Sequence, residues 1–187
     1  MNPGEDDGVR PRRIGVLVAV AAVALALDII SKVLVVALLS DRQPIDLLGG
    51  LVTLRVLRNS GAAFNIGNSM TLVFTVIATG VVVAILRYAR RLRSLPWAVT
   101  LGLLLGGALG NLADRMVRSP GPLRGHVVDW IELPHWPVFN LADASIVCGG
   151  VVAVLLASRG LQVDGTVHHG DPPESAAGSD SVPDAKR

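Results

Sequence analysis

The chain has 187 residues, 51% of them hydrophobic and only 17% charged, with a mean hydropathy of +0.53 and a formal net charge of +2. Soluble domains carry about 25% charged residues, so this composition excludes an ordinary soluble enzyme or a disordered regulator. The basic residues, fifteen Arg and two Lys, fall in short groups with no tract for a nucleic-acid backbone, and one cysteine allows neither an internal disulfide nor a multi-thiolate metal site.

In chain order, a short segment 1–13 with Arg10, Arg12 and Arg13 precedes the first apolar stretch, 14–39. Its Ala24-Leu25-Ala26 resembles a signal-peptide cleavage site, but apolar residues continue to Leu39, so it reads as an uncleaved anchor. Three more apolar stretches follow at 70–86, 95–113 and 139–157, with Pro96 in the first turn of the third, where its missing N–H is not needed. About 20 helical residues cross a hydrocarbon core of about 30 Å. Four such stretches predict an all-α integral membrane protein of four transmembrane helices, spanning 14–158. Between them, 51–57 and 127–131 are rich in β-formers and predict a small extracytoplasmic β segment. Trp130, Trp136 and Phe139 suit the membrane interface. Residues 159–187 hold little but small and polar residues and read as a disordered tail, with His168 and His169 solvated.

Arginines set the expected orientation. Three precede the first span, and Arg87, Arg90, Arg91 and Arg93 crowd the connection between the second and third. The long connections 40–69 and 114–138 have three each, mixed with acids. The positive-inside rule places both termini and the 87–94 turn in the cytoplasm.

Ionisable groups inside membrane spans are costly and need a reason. Asp28 and Lys32 are four apart near the outer end of the first span, a spacing that allows an ion pair. Asn111, Asp114 and Arg115 lie at the outer end of the third span, and Asn140 and Asp143 at the outer end of the fourth. Asp129 lies in the outer loop between them. All converge on one membrane face. A metal centre is not expected, because there is no His-Glu-x-x-His and His126 and His135 are isolated. Nucleophile motifs are missing too, and Cys148 reads as a packing residue. What remains is a pair of carboxylates sharing one proton, one activating water while the other polarises a peptide carbonyl. On the residues alone, Asp114, Asp129 and Asp143 are all eligible.

Five blocks in order then carry a resemblance: Asp28-Ile29-Ile30-Ser31-Lys32, Asn59-Ser60-Gly61-Ala62-Ala63-Phe64, the run from Gly106 to Arg115, Val127-Val128-Asp129-Trp130, and Phe139-Asn140-Leu141-Ala142-Asp143. The chain resembles the lipoprotein signal peptidases, four-span bacterial membrane aspartic peptidases. The resemblance implies Asp129 and Asp143 as the catalytic dyad. It implies supporting or substrate-binding roles for Asn59, Asn111, Arg115 and Asn140. Asp114 with Arg115 then reads as a structural pair, and Asp28 with Lys32 as an ion pair shaping the site. The implied substrate is a diacylglyceryl-modified prolipoprotein, cut N-terminal to its modified cysteine. The implied location is the bacterial cell membrane in contact with lipid, with no cofactor and no nucleic acid.

Two other classes compete. A proton-coupled transporter or channel would spread acids along a path to the cytoplasm, whereas the inner halves of spans two to four carry none. A non-catalytic assembly factor would not need the carboxylates to meet. Gly102, Gly106, Gly107 and Gly110 fit either helix–helix packing or the approach of a substrate helix.

Overall fold

The structure, a computed structural model, describes residues 11–61 and 68–167. It contains α1 (Ile14–Leu39), α2 (Asn68–Ala89), α3 (Leu95–Val117) and α4 (Leu141–Ser158), with strands β1 (Ile45–Leu47), β2 (Val52–Asn59) and β3 (Val127–Glu132). Each helix is long and apolar enough to cross a membrane. Together they form the expected all-α membrane bundle with a small β-rich segment. At 1.5 Å per residue, the 26 residues of α1 reach about 39 Å and the 18 of α4 about 27 Å. The first exceeds an average hydrocarbon core and the last falls just short of it.

The four-helix arrangement is centred on α3, which packs along α1, α4 and α2. Its glycines explain how the neighbours come so close. A β-carbon on Gly106 would sit 2.7 Å from both the Ala21 carbonyl oxygen and the Ala24 β-carbon of α1. One on Gly102 would sit 2.7 Å from the Val20 β-carbon, and one on Gly107 2.5 Å from the Ala142 carbonyl oxygen of α4. At Gly110 it would collide with the Asp28 carboxylate. All four glycines therefore serve helix–helix packing, which decides a choice that spacing alone left open.

Burial divides the bundle into two zones. At the end that carries the start of α1 and the end of α4, Leu17, Ala21, Ile85, Ala89, Leu92, Ala98, Leu101 and Leu105 form an apolar core. At the opposite end the buried residues include Asp28, Lys32, Asn111, Asp114, Asp129 and Asn140. The outward faces of α1, α2 and α4 stay apolar and exposed, as at Val18, Val76 and Val154, which is what a lipid-facing surface requires.

A three-stranded antiparallel sheet caps the polar end in the order β1-β2-β3. β2 and β3 coincide with the two expected strand segments. The short β1 was not foreseen, because three residues are too few for alternation to register. It joins β2 through a single 3₁₀ turn in which Gly49 and Gly50 take positive φ. β2 and β3 slip register between Leu54 and Leu57, and Phe139 bridges to Ile131, carrying β3 towards the start of α4.

Two readings need correction. Residues 160–167, expected as the start of a disordered tail, form a turn closed by a bridge between Leu161 and Val167. It is fastened to the foot of α3 by Trp97 Nε1 on the Leu161 carbonyl at 2.8 Å and by the Arg93 and Ser94 amides on the Val163 carbonyl. His168, His169 and the rest of the tail lie outside the described residues. Cys148 is exposed on the outside of the bundle and does not pack within it.

Candidate active site

The polar end is assembled from α1, α3, α4, β2 and β3. Asp143 sits in the first turn of α4 because Asn140 caps that helix. The Asn140 side-chain oxygen accepts the Asp143 amide at 2.9 Å, while the Asn140 amide donates to Asp143 Oδ2 at 3.2 Å. This reciprocal capping box fixes both residues and puts a carboxylate where the helix dipole favours negative charge.

The same asparagine reaches the second carboxylate. Asn140 Nδ2 donates to Asp129 Oδ1 at 2.6 Å, and Asn59 Nδ2, from the end of β2, donates to Asp129 Oδ2 at 2.8 Å. Asn111 Nδ2 donates to Asp143 Oδ1 at 2.7 Å. Asp129 and Asp143 are thus joined through one residue, each carboxylate held by carboxamide donors. Asp129 is almost fully buried, and its carboxyl is raised from 3.8 to about 6. Desolvation is the main cause, and the neighbouring Asp143 charge adds to it.

Beneath this pair lies a compact ionic cluster. Lys32 Nζ contacts Asp28 Oδ2 at 2.7 Å, Asp114 Oδ2 at 2.9 Å and Asn111 Oδ1 at 3.2 Å, which occupies all three ammonium hydrogens. Arg118 also pairs with Asp114. Two cations therefore balance two carboxylates, the arrangement that makes buried charge tolerable. Asp28 Oδ1 further accepts the Ala142 amide at 2.9 Å, which ties α1 to the first turn of α4. Lys32 holds the oxygen of Asn111, so the amide nitrogen of Asn111 is the atom left to face Asp143.

The expected Asp114–Arg115 pair does not form. Asp114 bonds Lys32, Arg118 and the Val128 amide, at 3.2 Å for the last, so its carboxylate is fully engaged in structure. Arg115 instead donates to the Asn111 carbonyl at 3.1 Å, and its guanidinium lies 5.9 Å from the Phe74 ring centroid, within cation–π range. The physical reason is helical spacing: Arg118 is one turn from Asp114, whereas Arg115 is rotated to the next face. Its charge still acts on Asp143 and Asp129.

That next face borders a cavity of about 370 Å³ between α2, α3 and α4. Leu104, Ala108, Asn111 and Arg115 form its α3 wall, and Phe74, Ile77, Ala78 and Val81 its α2 wall. Asn59, Gly61 and Asp143 lie at the polar end, so the space is apolar along its length and lined by a carboxylate at one extremity. Sequence reasoning missed Phe74 and two α2 threonines. Thr75 donates to the Thr71 carbonyl at 2.8 Å and to the Leu123 carbonyl at 3.1 Å, and Thr71 donates to the Ser60 carbonyl. These bonds fasten α2 to the sheet and to the loop after α3. The every-fourth-residue threonines of α2 were the signal available for them. Of the Asn59 block, Ala62, Ala63 and Phe64 lie outside the described residues.

The chain as a whole is similar to known proteins. The family model described as Signal peptidase (SPase) II matches residues 20–159. A lipoprotein signal peptidase of Streptomyces coelicolor is 57% identical over 157 residues, 84% of this chain and 77% of its own. One from Mycobacterium avium is 54% identical over 154 residues, 82% of this chain and 85% of its own. Among solved structures, a bacterial membrane enzyme determined by the in meso method at 1.9 Å matches in fold. Its TM-score is 0.70 at 24% identity, covering 80% of this chain and 96% of that one.

Proposed function

The chain belongs to the signal peptidase II family, and we propose that it cleaves prolipoproteins as an aspartic peptidase with Asp129 and Asp143 as its dyad. The observation that carries this reading is one residue, Asn140, reaching both carboxylates, its side-chain amide donating to Asp129 and its backbone amide to Asp143, while burial raises Asp129 to about 6. Burial of Asp129, with the neighbouring Asp143 charge adding to it, favours a proton on Asp129. Asp129 is therefore the acid and Asp143 the base.

In the reaction, Asp143 takes a proton from water as the water oxygen attacks the peptide carbonyl, and Asp129 gives its proton to the carbonyl oxygen. Collapse of the tetrahedral intermediate returns that proton to Asp129. The proton held by Asp143 passes to the departing nitrogen, so both carboxyls finish as they began. No cofactor enters. Asn59, Asn111 and Asn140 hold the carboxylates in register. Arg115, on the cavity wall beside Asp143, serves substrate binding, and Asp28, Lys32 and Asp114 keep the three helices aligned.

The substrate is a prolipoprotein carrying a diacylglyceryl group on its cysteine, cut on the N-terminal side of that residue. The long apolar cavity suits acyl chain or signal-peptide side chains, while the polar extremity meets water. Residues 14–158 form the peptidase domain in the bacterial cell membrane, in contact with lipid. Segment 1–13 and the residues from 159 onward are cytoplasmic, and the dyad is extracytoplasmic.

The decisive experiment is cleavage of a diacylglyceryl-modified precursor peptide in liposomes. Asp129→Asn and Asp143→Asn should each abolish turnover while the protein remains folded by thermal unfolding. Normal turnover by either variant would overturn the dyad.

A further inference from the structure

A second cavity, of about 420 Å³, lies on the sheet side of the site, between β2 and the segment joining β3 to α4. Asn59 lines both this cavity and the apolar one, and it is also the residue that holds Asp129. A polypeptide crossing the carboxylate pair would therefore leave one cavity and enter the other at Asn59. The two spaces differ in chemistry. The first is walled by aliphatic and aromatic side chains of three membrane helices. The second is lined by Arg55, Arg58, Glu132 and the exposed ring of Trp136, outside the helical bundle.

Charge within it is unbalanced. Arg55 Nε pairs with Glu132 at 2.8 Å, so those two cancel. The exposed guanidinium of Arg58 makes no hydrogen bond or ion pair among the described residues. The cavity thus presents one free positive charge beside an aromatic face. β1 pairs only with Val52, Thr53 and Leu54 of β2, so along the cavity wall β2 is paired to β3 on one edge and keeps its other edge free of β1. A chain lying here meets strand backbone as well as side chains, and the side chains are what distinguish one sequence from another.

We infer that this second cavity receives the first residues of the mature lipoprotein, C-terminal to the scissile bond, and that Arg58 makes the enzyme prefer acidic side chains there. The assignment rests on the proposed dyad. Signal peptide and acyl chains are apolar and belong in the membrane cavity, which leaves the polar chain beyond the modified cysteine for the outer one.

The test uses the full chain in liposomes of neutral lipid and three diacylglyceryl-modified precursor peptides. They differ only in the few residues after the cysteine, which are acidic, basic or neutral. For the unsubstituted protein, kcat/KM on the acidic peptide should exceed that on the basic one by roughly twofold to fivefold, the effect of one exposed ion pair. Arg58→Gln should erase this ratio and Arg58→Glu should invert it. Arg42→Glu, an equal charge change on an exposed residue outside both cavities, should leave the ratio as it is. Equal ratios in the unsubstituted protein and both Arg58 variants overturn the inference. So does an equal shift from Arg42→Glu, which would mean a diffuse field and no cavity contact. Failure of the dyad itself reads differently: Asp129→Asn would then cleave the neutral peptide.

Discussion

Asn140 shows how much one side chain does here. Its amide nitrogen lies 2.6 Å from Asp129 Oδ1, 3.2 Å from Asn111 Oδ1 and 3.4 Å from the Val128 carbonyl. With two hydrogens available, the two shorter contacts take them. Its oxygen meanwhile caps α4, so helix start and carboxylate spacing are set by the same residue. The burial that raises Asp129 has a stability consequence whose sign is fixed. Between its ordinary 3.8 and about 6, folded Asp129 keeps a proton that the unfolded chain has released. Stability from this group is therefore present at low pH and lost as pH rises through that window. Asp129→Asn should flatten the fall. The measurement is thermal unfolding in detergent at one pH below and one above the window, comparing slopes. An unchanged slope in the variant would place the titration elsewhere.

At the scale of elements, α3 works through two differently built faces. Small residues let α1 and α4 approach within backbone contact, while Leu104, Ala108, Asn111 and Arg115, spaced at three and four residues, are left to wall the cavity. A side chain on Gly106 meets the α1 backbone, which cannot rotate away. Gly106→Val should therefore lower the midpoint of thermal unfolding clearly, by an overpacking cost of about 1–3 kcal/mol or more. Gly80→Ala in α2 makes a control, since nothing lies within 4 Å of the added carbon. It should be neutral or slightly stabilising, as alanine is the better helix former by about 1 kcal/mol. Equal destabilisation by both would mean that α1 and α3 do not pack through these glycines. The loop after α3 is built with similar economy: Gly125 fits under the carbonyls of Asp114, Arg115 and Arg118, and its amide bonds the Arg115 carbonyl.

For the whole molecule, apolar core and polar cluster occupy opposite ends of one bundle. The dyad proposal requires the polar end to face outward, where water and the precursor's cleavage region are. In a Cys148→Ser background, a single cysteine introduced at exposed Arg90 should react with a membrane-impermeant maleimide only after permeabilisation. One at Leu48, in the turn between β1 and β2, should react in intact cells. The reverse pattern would invert the orientation and remove the dyad from its substrate.

The membrane class, the four helices, two of three strands and the gathering of rare charges at one end are legible in the amino-acid order. Each of these follows from local rules: length against bilayer thickness, residue periodicity, and the cost of placing charge in lipid. Tertiary structure alone decided the pairings. Asp114 turned from Arg115 to Lys32 and Arg118, and the α3 glycines proved to be packing surfaces. Cys148 faced outward, and the turn at 160–167 docked on α3. Hydrogen bonds and close contacts depend on distances between elements far apart in the chain. Helix crossing and strand register set those distances, and no local pattern encodes them.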